Sequence, residues 1–78
     1  MVGNIIYLVY CEYQNGDKQL QTPHATFDGA RDRMDEIRDY WREKGMLVKE
    51  GINGTIHIMK SGGEFFRDYY VVTRTILK

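Results

Sequence analysis

Asp28, Asp32, Asp35, Glu36, Asp39 and Glu43 form the densest set of ionisable side chains in the sequence, and their spacing gathers them on one side of a helix. Neighbouring carboxylates can serve acid–base catalysis or electrostatic docking. Catalysis needs an apolar pocket to move a carboxyl away from its ordinary proton affinity, and a solvated ridge supplies none. Docking needs only exposure. Like charges such as Asp28/Asp32, Asp32/Glu36, Asp35/Asp39 and Asp39/Glu43 stand four residues apart, and each pair weakens an isolated helix by a few tenths of a kcal/mol. Arg31, Arg38 and Arg42 line one flank, and Arg31–Asp35 and Asp35–Arg38 pairs return part of that cost. The ridge is more acidic than stability requires; it reads either as a solvated face or as the candidate protein-binding surface, suited to a basic partner such as a nucleic-acid-binding protein.

The other reactive side chains lack the company that chemistry demands. Cys11 sits mid-strand between Tyr10 and Glu12, with nothing adjacent to lower its pKa, and reads as a buried structural thiol. Ser61 is the sole serine and lies in a Ser61-Gly62-Gly63 turn without the surroundings of a nucleophile elbow. That turn precedes a strand, so it also lacks the helix start that cradles phosphate. His24 and His57 have no Cys or carboxylate at ligand spacing, and we expect no metal and no cofactor. No catalytic residue is assigned, and Asn53-Gly54-Thr55 reads as a tight turn in preference to a glycosylation site.

The ridge has to be positioned by a helix, and the residues between its carboxylates provide one. Phe27, Ala30, Met34, Ile37 and Trp41 recur at steps of three and four, which makes an apolar stripe opposite the acids. Thr26 stands where an N-cap belongs, Asp28 suits the positive end of the dipole, and Gly45 follows Lys44 as a stop signal. The spacing predicts a helix over residues 27–44, seated on a sheet.

Strands account for the remainder. Residues 4–13 are rich in β-branched and aromatic side chains, Gln14-Asn15-Gly16-Asp17 turns them, and residues 18–22 return before Pro23. After the helix come residues 46–49, a turn through Asn53-Gly54, residues 55–60, the Ser61-Gly62-Gly63 turn and a last strand within 65–77. The expected fold is α+β, an antiparallel sheet with one helix packed on one face, in the order β-β-α-β-β-β. All 78 residues fit a single domain.

One helix cannot cover two apolar faces. Alternation sends Ile5, Tyr7, Val9 and Cys11 one way and Ile6, Leu8 and Tyr10 the other. In the last strand Tyr69, Val71, Thr73, Thr75 and Leu77 share a side, and Tyr70, Val72 and Ile76 share the opposite one with Arg74. The uncovered set can pair with a second protomer or a partner, or can be draped by long side chains such as Arg67 and Arg74. It also offers a stacking platform for single-stranded RNA or DNA, with Tyr10, Tyr70, Arg67 and Arg74 as contacts.

Charge and composition narrow the partners. Eleven basic residues balance eleven acidic ones, so the chain lacks the positive field of a general nucleic-acid or membrane binder. A single cysteine precludes an internal disulfide, and the apolar run 5–10 is too short for a span and lacks the flanks of a signal peptide. A reducing, cytoplasmic setting is expected.

The first strand, the Asn15-Gly16 hairpin, the Thr26-Phe27-Asp28-Gly29-Ala30 helix start and the Tyr69-Tyr70-Val71-Val72 final strand resemble small phage and prophage accessory proteins. Anti-CRISPR inhibitors are similar in size, in charge segregation and in lacking catalytic signatures. The resemblance implies a stoichiometric binder of host machinery, whereas the residues alone leave open a nucleic-acid module or a homodimeric small-ligand-binding protein.

Overall fold

The computed structural model describes residues 4–76. Strands β1 (Asn4–Tyr13) and β2 (Lys18–His24) form a hairpin, helix α1 (Phe27–Glu43) follows, and β3 (Leu47–Glu50), β4 (Ile56–Met59) and β5 (Phe65–Ile76) complete a five-stranded antiparallel sheet of order β2-β1-β5-β4-β3. A short 3-10 turn, Ile52–Gly54, joins β3 to β4. The expected α+β order is therefore the observed one.

Turn chemistry explains how the strands connect. Gly16 and Gly63 occupy the same place in two hairpins: each has φ near 90° and donates to the carbonyl three residues back, Tyr13 and Lys60. Both loops are type I turns closed by a left-handed glycine. Asn53 and Gly54 also have positive φ, 62° and 75°, and the Thr55 amide donates to the Ile52 carbonyl, so the sequon residues form a mirror-image turn. Pro23 does not end β2 but pairs with Leu8, and His24 pairs with Tyr7 beyond it. An edge strand tolerates this because its outer side needs no donor.

Both helix ends are satisfied as their residues suggest. The Thr26 hydroxyl accepts from the Gly29 amide at 3.0 Å. At the other end Gly45, with φ 83°, donates to the Arg42 carbonyl and Met46 donates to that of Trp41, a pairing that a left-handed glycine permits. The helix ends at Glu43, with Lys44 as its cap.

Ala30, Met34 and Ile37 are buried against Val9, Cys11, Ile56, Ile58 and Tyr69, which supply the core from β1, β4 and β5. Trp41 packs at the margin of this core. Phe27 departs from the expected stripe: it is 54% exposed and meets Tyr7 in a T-shaped contact, with ring centroids 5.8 Å apart. It opens the first turn of α1, beside the cleft between helix and sheet. Leu77 lies outside the described residues.

Candidate functional site

Because the apolar stripe is seated, the ridge faces outward. Asp28, Asp32, Glu36, Asp39 and Glu43 are exposed, and Asp35 is half-exposed at the margin. The structure brings them together on one surface but does not leave them uniformly bare. Arg38 donates from Nε to Asp39 at 3.1 Å and from Nη1 to Asp35 at 3.1 Å, and it reaches Glu50 of β3 at 3.5 Å. The bond to Asp39 is the main reason its guanidinium is held above the ordinary range. Arg33 lies 3.9 Å from Glu36. Among the described residues Asp28, Asp32 and Glu43 have no ion pair, and the expected Arg31–Asp35 bridge is not formed. The Arg38–Glu50 link from helix to sheet edge has no sequence signal, since it joins residues on separate elements.

The sheet face away from α1 carries the second candidate surface. The register sets Tyr10 opposite Tyr70, and their rings stack with centroids 6.0 Å apart at 15°. Two residues along, Lys18, Glu12, Asp68, His57 and Lys49 are paired in turn, so a row of polar side chains, four of them charged, crosses all five strands. His57 Nδ1 is 2.7 Å from Asp68 Oδ1. Burial first, and then the negative charge of Glu12, pushes the Tyr70 phenol up. A stacking pair flanked by carboxylates repels the phosphates that a nucleic acid would bring.

Arg67 is not on that face. It pairs with Ile58, whose side chain is in the core, and its guanidinium lies 4.2 Å from the Phe66 centroid, 5.1 Å from that of Trp41 and 5.0 Å from that of Tyr13. The stacking-platform reading thus loses one of its two cations. Its parity with Tyr69 and Val71 was the available signal, and a bulge at Phe66 lets Phe66 and Arg67 both turn toward the helix layer.

The remaining reactive groups are accounted for. Cys11 is fully buried, and burial pushes its thiol up, away from the nucleophilic range. The His24 ring shares a 2.7 Å hydrogen bond with the Thr22 hydroxyl. Among the described residues no three His, Cys, Asp or Glu side chains converge, and no helix is long and apolar enough to cross a membrane.

A cleft of about 640 Å³ opens between α1 and the sheet. Phe27, Met34, Ile56 and Val71 make its apolar floor, and Arg31 and Glu50 are among its polar rim. Comparison with protein-family models, curated proteins and solved structures finds no match to this chain.

Proposed function

We propose that the chain is a non-enzymatic protein-binding module that docks the acidic ridge of α1 on a basic surface of another protein, in the manner of a phage-encoded inhibitor. The observation that carries this reading is the division of α1 itself. Ala30, Met34 and Ile37 are committed to the core, which leaves Asp28, Asp32 and Glu43 presented to water with no cation paired to them among the described residues. Long-range attraction then steers a basic partner toward the helix, and desolvated contacts fix it there. A basic nucleic-acid-binding protein has the complementary surface, and occupying that surface would block its normal ligand. The resemblance to small phage accessory proteins, anti-CRISPR inhibitors among them, supports the same role.

The test is capture from a bacterial extract by the parent and by the triple variant Asp32→Lys, Glu36→Lys, Asp39→Lys. A basic protein retained by the parent should be released by added salt and should not bind the variant. Equal capture by both proteins would remove the ridge as the binding surface.

A further inference from the structure

The strands of the sheet differ in length, and the difference leaves one backbone edge open. β5 runs from Phe65 to Ile76, yet β4 pairs with it only from Phe65 to Tyr69. From residue 70 to residue 76, β5 has β1 on one side and, among the described residues, no strand on the other. That edge spans about 23 Å at ordinary strand rise. Its sequence, Tyr-Val-Val-Thr-Arg-Thr-Ile, is rich in β-branched residues and contains one charge and no proline, so little in it deters pairing with another strand.

We propose that this edge pairs antiparallel with the same edge of a second copy of the chain, about a two-fold axis through Thr73. Residues directly opposite in an antiparallel ladder share a face of the sheet, so a two-fold normal to the sheet must pass through a residue. An axis at Arg74 would set two guanidinium groups against each other. An axis at Val72 would bring Ile76 of the copy opposite residue 68, which β4 already occupies. Among the described residues the Thr73 axis avoids both faults. It pairs Thr73 with its own mate, Arg74 with Val72, Thr75 with Val71 and Ile76 with Tyr70, and no like charges meet.

Side chains around the edge fit this occupant. Ile76 and Phe27 are 44% and 54% exposed, and Phe27 and Val71 lie in the cleft that flanks the open side of β5. On the cleft rim Arg38 already answers Asp35 and Glu50 within one copy, so little unbalanced charge stands beside the edge to repel a second. The product is a continuous sheet with both helices on the same side and both acidic ridges free.

Sedimentation equilibrium tests the proposal on the intact chain. The parent should sediment at twice its 9.2 kDa mass at roughly 100 μM. Thr73→Lys and Thr73→Glu, at a position exposed in the single copy, should each raise the dissociation constant at least tenfold, and an equimolar mixture of the two should restore the dimer. Amide exchange of the parent gives a second reading, with protection over residues 70–76 that falls on dilution. A monomeric parent would overturn the proposal whatever the variants do. A dimer indifferent to both Thr73 variants would also overturn it and would move the interface to the open sheet face.

Discussion

The Trp41 indole nitrogen donates to the Tyr69 hydroxyl at 3.2 Å, which fastens the last turn of α1 to the centre of β5. Trp41 also meets Phe66 edge-on at 5.4 Å and lies under the Arg67 guanidinium. Tyr69→Phe leaves the indole N–H without its partner and should cost about 1 kcal/mol in urea unfolding. Trp41→Ala removes packing as well and should cost about 3 kcal/mol. Equal losses from the two variants would mean that the hydrogen bond, not the ring stack, holds the helix end.

Ile58, on β4, is fully buried in the core cluster with Met34, Ile37 and Val9. Truncation to Ala should cost about 2 to 5 kcal/mol. A domain of this size has about 4 to 12 kcal/mol in all. Ile58→Ala should therefore unfold at much lower urea, whereas Ile52→Ala, at 86% exposure, should leave the midpoint unchanged.

The two helix termini make separate contributions. Thr26→Ala removes the 3.0 Å cap to Gly29 and should cost about 1 kcal/mol. Gly45→Ala forces a side chain to φ 83° and should cost about 1 kcal/mol through strain alone, since a Cβ there meets nothing within 4 Å. Being far apart, the two losses should add in the double variant.

High pH should destabilise the fold. Burial raises the Cys11 thiol and the Tyr69 phenol above their ordinary ranges, so the folded chain retains protons that the unfolded chain releases. Stability is then complete below the ordinary thiol range and falls as pH rises through roughly 9 to 10 and beyond. Urea midpoints across that range check the sign. A thiol reagent at neutral pH should modify Cys11 only as fast as the protein opens.

The triple ridge reversal should be thermodynamically mild. It removes the Glu36 pairing with Arg33 and the Asp39 pairing with Arg38. In return Asp39→Lys relieves its repulsion with Asp35 and Glu43, and Asp32→Lys sets an ammonium group one helical turn from the Asp28 carboxylate, while positions 32 and 36 stay a like-charge pair, now positive. A midpoint within about 1 kcal/mol of the parent makes lost capture a statement about binding.

Local rules carry most of the fold. The helix and its ends follow from the Phe27-to-Trp41 spacing and from Thr26 and Gly45, because caps and stripes are written in adjacent residues. Strand positions follow from alternation, and turns from Gly16, Asn53-Gly54 and Gly63. Strand length relative to a neighbour is not local: that β4 stops at Ile56 while β5 continues to Ile76 depends on a pairing across the chain. For the same reason the Arg38–Asp35 pair is legible in the sequence and the Arg38–Glu50 pair is not. Arg67 shares the parity of Tyr69, which puts it on the helix side, and expecting it on the open face overlooks that alternation. The ridge is legible because exposure on a helix is the complement of burial, and its arginine clamps are only half legible.

The ladder that joins Asn4 to Ile76 has a consequence for biosynthesis. β1 leaves the ribosome well before its main partner β5, so Val9 and Cys11 wait, with α1 already made, for Tyr69 to arrive. Until β5 is made the nascent chain holds these greasy side chains without their sheet partner, and closure then spans a long loop. Slow release or heat should therefore harm this protein during synthesis more than after it, and a chaperone that shelters the first hairpin should raise its yield.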